Sequence, residues 1–266
     1  MRIVTLIENT VYKKRLLAEH GLSFYIETAN DKILFDTGQS AAFIHNANQL
    51  GIDLTQVDAV ILSHGHYDHT GGLYAFLELN SKAKVYCKKE LFYKKFNKFG
   101  EFIGTNYNAD LLKDRLVFID KNTELVKGIW IMPSVKIYDV KDSSIGYLKI
   151  DKGNGPEQDD FPDELFVAIK RNNSLSVLSS CSHLGITNIV ETACNTFKLP
   201  LNIIVGGFHI KDCGAEHYAM IFDYLNRVAP RKIGVCHCTG IEKYEELKEK
   251  CNAEVFYNST GYQINC

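Results

Sequence analysis

The chain has 266 residues, 45% of them apolar and 23% charged, with a formal net charge of −2. That length supports a sizeable core, and the charge gives no reason to expect nucleic acid or an anionic membrane as partner. No stretch reads as a secretory leader or membrane span, and eight cysteines in a chain this long point to reduced thiols in the cytoplasm rather than a disulfide framework.

RIVTLI (2–7), LSFYIET (22–28) and KILFDTG (32–38) read as short strands, the last two joined by a hairpin turn at Ala29-Asn30-Asp31. DAVILS (58–63) reads as a buried strand from its apolar run, and a helix is expected from Gly71 to Asn80. In KKELFYKKFNKF (88–99) the lysines recur at helical spacing around Leu91, Phe92, Tyr93 and Phe96, which predicts an amphipathic surface helix with a solvated basic face. The alternative is a basic wall that attracts an acidic substrate. The aromatic-rich piece Phe92 to Phe102 suits a pocket lid or the face of a homo-oligomer. Residues 100 to 165 are less regular, with strand-like pieces around IWIMPSVKIY and the acidic stretch PEQDDFPDE (156–164).

From SLSVLSS (174–180) onward the pattern alternates. A helix at ITNIVETACNTF (186–197), a strand at LNIIVGG (201–207), a helix at AEHYAMIFDYLNRV (215–228), a strand at KIGVCH (232–237) and a helix at EKYEELKEK (242–250) make an α/β signature. No linker interrupts the chain, so a single domain over 1–266 is expected.

VILSHGH (60–66), VLSSCSH (177–183), IIVGGFH (203–209) and IGVCH (233–237) all run from apolar residues through small ones to a histidine. Functional residues often sit on loops beyond the carboxyl ends of strands. If those ends share an edge, His66, His183, His209 and His237 converge.

SHGHYDHTGG (63–72) packs three histidines and an aspartate into six residues. Neutral imidazole and carboxylate are both ligands for zinc, manganese or iron. Alternation puts His64 and His66 on one side of an extended segment, where they can grip one metal. Asp68 and His69 follow the turn and can face a second metal. Gly71 and Gly72 let the chain bend sharply into the helix. Without a metal, four such groups would bury several unsatisfied polar atoms.

The H-G-H-Y-D-H run, after an apolar strand and before T-G-G, resembles the metal-binding motif of the metallo-β-lactamase superfamily, and FDTG (35–38) resembles its upstream aspartate strand. The resemblance spans essentially the whole chain. It implies a four-layer αββα sandwich, mixed sheets with helices on the outer faces and a site for two divalent ions, zinc first, with manganese or iron as alternatives. Carried over, His64 and His66 bind the first metal, and Asp68, His69 and His237 the second. The departure is that no histidine lies between His69 and His183, so His183 is inferred to complete the first site. No bridging aspartate stands at Cys181, which is either a soft ligand or a buried small residue. Asp36 is read as buttressing a ligating histidine without touching metal. His209 is read as contacting developing negative charge or as hydrogen-bonding a ligand carboxylate. His20 is read as lining the pocket. Cys236 and Cys238, flanking His237, are expected to point away from it and to pack.

EHGLSFYIET, DDFPDE, CSHLGITN, GGFHI and HCTG together resemble the branch that includes 7,8-dihydropterin synthases. This implies a phosphate-bearing small-molecule substrate. The expected reaction is hydrolysis of a phosphodiester or diphosphate, with Asp68 and His209 as catalytic residues, or a synthase-like transfer. The alternatives are a mononuclear iron oxidoreductase, resembling persulfide dioxygenases, and a metal-dependent binding protein with little turnover.

Overall fold

The computed structural model describes residues 1–143 and 146–265; Cys266, one of the cysteines with no partner pattern, lies outside them. In chain order the strands are β1 (Arg2–Ile7), β2 (Ser23–Glu27), β3 (Lys32–Phe35), β4 (Ala59–Ile61), β5 (Lys84–Cys87), β6 (Lys94–Phe96), β7 (Leu116–Phe118), β8 (Thr123–Val126) and β9 (Ile129–Met132). They continue with β10 (Lys149–Asp151), β11 (Pro156–Gln158), β12 (Phe166–Arg171), β13 (Ser174–Leu178), β14 (Leu201–Gly206), β15 (Lys232–Val235), β16 (Glu254–Tyr257) and β17 (Gln263–Asn265). The helices are α1 (Ala42–Gln49), α2 (Tyr67–Thr70), α3 (Leu73–Leu79), α4 (Ala109–Leu112), α5 (Ile186–Phe197), α6 (Ala215–Val228) and α7 (Ile241–Lys250). The chain forms two compact units, one of residues 1–120, 145–163 and 259–266, the other of residues 121–144 and 164–258.

The first unit holds a sheet of order β17-β1-β2-β3-β4-β5-β7 and a small sheet β11-β10-β6. β1, β2 and β3 are antiparallel, and Thr28 N–H closes the predicted hairpin on the carbonyl of Asp31. From β3 through β4 and β5 to β7 the pairing is parallel. All three residues of β4 are buried, which is why this strand reads as an unbroken apolar run. Phe43 and Ala47 of α1 and Phe76 and Leu77 of α3 pack with Val4, Leu34, Val60 and Val85 in one core.

The second unit holds a sheet of order β16-β15-β14-β13-β12-β9-β8. β13 to β16 are parallel neighbours, and β12, β9 and β8 complete it antiparallel. Ile186, Ile189, Val190 and Ala193 recur at helical spacing along α5 and join Ile221 and Leu225 of α6 and Leu247 of α7 in its core. The α/β alternation expected after residue 174 is therefore what forms.

Two expectations fail. The segment 88–99 is not an amphipathic helix. A 3-10 turn at Lys89–Phe92 leads into β6, in which Lys94 is exposed and Lys95 fully buried. Lys95 Nζ lies 2.7 Å from Asp159 Oδ2 and 2.9 Å from Asp163 Oδ1. Two partners more than sixty residues away neutralise a lysine that the local pattern assigns to solvent, so Lys95 takes no part in an exposed basic face, whereas Lys89, Lys94 and Lys98 stay exposed. The helix expected from Gly71 to Asn80 forms as α3, Leu73–Leu79, after the single turn α2; what fails is the role given to the glycines before it. Gly71 has ordinary right-handed φ and ψ, so conformational freedom is not its role. A Cβ there would stand 2.1 Å from the Gln39 carbonyl oxygen, and one at Gly72 2.3 Å from that of Thr37. The glycines permit close backbone contact.

Among the described residues no helix is long and apolar enough to cross a membrane, and no disulfide joins the described cysteines.

Candidate metal centre

In the first unit, β3 and β4 are parallel neighbours, so the residues that follow them emerge at one edge of the sheet. Asp36 follows β3 directly. Its backbone is left-handed, at φ 61°, a conformation Asp tolerates better than most residues. Its buried carboxylate accepts the backbone N–H of Ser63 at 2.7 Å, the Ser63 hydroxyl at 2.7 Å and His69 Nδ1–H at 2.9 Å. The Nε2 of His69 is thereby left facing Asp68, whose Oδ2 lies 3.3 Å away. His64 and His66 sit with Nε2 and Nδ1 3.2 Å apart. Two nitrogens on a tetrahedral zinc stand about 3.3 Å apart, given Zn–N distances near 2.0–2.1 Å. Both pairs therefore have the bite of metal ligands. His20 Nε2 lies 3.2 Å from Asp68 Oδ2, on a largely exposed side chain.

Charge divides these histidines. Burial, with His69 and His66 beside it, holds His64 well below the ordinary imidazole value, so it is neutral, the form in which imidazole ligates metal. Burial opposes charge on His69 too, but Asp68 and the hydrogen bond that His69 donates to Asp36 outweigh it and raise the group to about 10. A metal held by His69 would have to displace a proton.

In the second unit, β13, β14 and β15 are adjacent and parallel, and each ends in a histidine-bearing loop. Ligand atoms of Cys181, His183 and His209 lie within 4.8 Å of one another, as do those of Cys181, His237 and Cys238. The His183 and His209 ring centroids are 4.4 Å apart. Ser182, His209 and His237 all adopt left-handed φ, which turns the chain back at the strand ends. Three of the four strand-end histidines thus converge in this unit; His66 belongs to the first.

Cys238 does not point away from His237. Residues 237–239 form a 3-10 turn rather than an extended segment, so alternation does not apply. The Cys238 thiol reaches the Cys181 carbonyl at 3.5 Å, and Gly207 leaves it room, since a Cβ there would lie 2.5 Å from its sulfur. Burial would raise this thiol, but hydrogen bonds with Cys181 and His209 and the charges of His237 and His209 hold it well below its ordinary value. Cys236 is buried beside Asn258.

Sequence reading assigned no role to Ser63, Asp163 or Glu164. Asp163 Oδ2 accepts the N–H of Gly65 at 2.6 Å, and Glu164 accepts the N–H groups of His183 and Leu184, each at 2.7 Å. The one available signal was the acidic run DDFPDE, too carboxylate-rich and too near apolar residues to be a plain solvated loop.

The description "Metallo-beta-lactamase superfamily" belongs to a family model that matches residues 17–135. A protein of Methanocaldococcus jannaschii, named 7,8-dihydropterin-6-methyl-4-(beta-D-ribofuranosyl)-aminobenzene-5'-phosphate synthase, is 31% identical across 94% of this chain and 92% of its own length. The chain belongs to the metallo-β-lactamase superfamily. A crystal structure of a metal-dependent hydrolase of that superfamily matches with TM-score 0.90 and 28% identity, covering 100% of this chain and 99% of the other. The zinc-bound PqqB of Methylobacterium extorquens, at TM-score 0.59 and 10% identity over the full length of both chains, shares the fold alone. The fold class implied by the motif holds. The donor set fits the divalent metals typical of the superfamily, as the two ligand bites and the neutral His64 show.

Proposed function

We propose that the protein is a metal-dependent enzyme acting on a phosphate-bearing small molecule. His64, His66 and His183 would hold one divalent ion, and Asp68, His69 and His237 a second. The observation that carries this reading is the pair of ligand bites, 3.2 Å between His64 and His66 and 3.3 Å between Asp68 and His69. When bound, the ions supply Lewis acidity and a hydroxide near neutral pH. The chain's own residues then do the rest. Asp36, by accepting Nδ1–H, fixes the tautomer of His69 and aims its Nε2 outward. Asp68 orients the attacking oxygen. His209, on its left-handed turn after β14, donates to the phosphate oxygen on which charge develops.

Hydrolysis of a phosphodiester or diphosphate is the reaction proposed. A second reading, a synthase-like transfer that forms a ribofuranosyl-aminobenzene phosphate product, is favoured by the 31% identity to the M. jannaschii synthase over 94% of the chain. Elemental analysis of protein purified without chelator is the first test. About two zinc or manganese ions per chain support the reading, followed by phosphate or diphosphate release from model diesters and diphosphates. A single iron per chain, with oxygen consumed in the presence of thiol substrates, replaces it with the oxidoreductase alternative. Tight ligand binding with no product formed replaces it with a binding protein.

A further inference from the structure

Two consecutive carboxylates each grip the backbone of a loop that carries histidine ligands. Asp163 Oδ2 accepts the N–H of Gly65, the residue between His64 and His66, at 2.6 Å. Gly65 has no space to shift, since a Cβ would stand 2.2 Å from the Leu91 carbonyl oxygen. The other oxygen of Asp163 accepts from Lys95 Nζ at 2.9 Å, and Lys95 also donates to Asp159 at 2.7 Å. All three side chains are fully buried. The second oxygen of Asp159 accepts the N–H of Phe161 at 2.8 Å and so secures that residue's left-handed φ of 49°. The Phe161 ring lies under the Lys95 ammonium at 5.0 Å and meets the His66 ring edge-on at 5.7 Å. In the second unit Glu164 accepts from His183 N–H and Leu184 N–H, each at 2.7 Å.

A buried ion cluster is a costly way to hold a fold together, and apolar residues of similar volume often do as well. What these groups hold is specific. Ligand loops need placement to a fraction of an ångström, and the groups behind the ligands tune metal affinity. We infer that the stretch Asp159–Glu164, with Lys95, positions the ligand loops: Asp163 sets His64 and His66, and Glu164 sets His183. The inference rests on the two-metal reading for its consequence, though not for its geometry.

The test uses Asp163→Asn and Glu164→Gln in the full chain. Val85→Ala and Val190→Ala serve as comparators, one buried core residue in each unit that is not itself part of these loops. Zinc affinity is measured by competition with a chromophoric chelator. Cobalt(II) absorption and unfolding of the metal-free protein are followed in parallel. The carboxylate variants should lose about 10–100-fold in zinc affinity and shift the cobalt bands. The core variants should lose stability and keep wild-type affinity. Wild-type affinity in both carboxylate variants overturns the inference, and so does an equal loss in the core variants. If Asp163→Asn does not fold, Glu164→Gln decides alone. A wild-type protein that takes up no metal sinks the two-metal reading instead. The positioning role is then read from amide exchange at Gly65, His183 and Leu184 in metal-free protein. It must be slower in wild type than in the variants, and equal rates overturn the inference.

Discussion

Replacing Asp36 by Asn keeps the shape and removes the charge behind His69. The carboxylate accepts three hydrogen bonds in a buried site: two from Ser63 and one from His69 Nδ1. An amide has one acceptor oxygen. If that oxygen stays on the Ser63 N–H, the amide NH2 faces His69 Nδ1, which must then give up its proton. The tautomer that results carries hydrogen on Nε2, the nitrogen proposed to bind metal. Loss of such a partner costs about 10–100-fold in metal affinity, or about 1.4–2.8 kcal/mol. The metal-free protein offers a second readout. His69 is raised from 6.5 to about 10 by Asp68 and Asp36 against the opposing effect of burial. A raised folded value stabilises fully below the unfolded value and is lost as pH climbs through the folded one. The metal-free wild type should therefore weaken between about pH 6.5 and 10, by on the order of 5 kcal/mol. In Asp36→Asn the decline should shrink, since only Asp68 then favours the charged ring. Urea unfolding across that range in chelator, with chelator competition at pH 7, measures both. An unchanged pH profile together with zinc affinity within twofold of wild type refutes the reasoning.

Lys95→Met strands two buried carboxylates and should cost about 3–5 kcal/mol in urea unfolding at pH 7. The deficit should narrow in acid, because burial already raises Asp159 and protonation neutralises it. Gly71→Ala forces a methyl group to 2.1 Å from the Gln39 carbonyl oxygen. It should cost about 1–3 kcal/mol in thermal unfolding, as overpacked sites do, and lower metal occupancy with it. In metal-free protein near pH 7, Cys238 should alkylate with iodoacetamide well before Cys87, whose thiol burial pushes up to about 12. Peptide mapping with labelled reagent reads the order, and equal rates would contradict the assigned thiol environment.

Much of the candidate site was legible because its signals are local. The donors sit one or two residues apart in His64-x-His66-x-Asp68-His69, and four apolar strands each lead to a histidine. Strand and helix periods of 2 and 3.6 are also local, and they located the parallel strands β13 to β15 and the helices between them. Three things were decided only by tertiary structure. Lys95 reads as a surface lysine because its two neutralising aspartates come 64 and 68 residues later. Asp163 meets Gly65 across 98 residues, and Glu164 meets His183 across 19. The turn of Cys238 toward Cys181 depends on a left-handed His237 and on the space left by Gly207. Composition and period carry what a residue does to its own few neighbours. Whether a charge can be buried depends on which distant group arrives to neutralise it, and that is set only when the sheets bring remote segments into register.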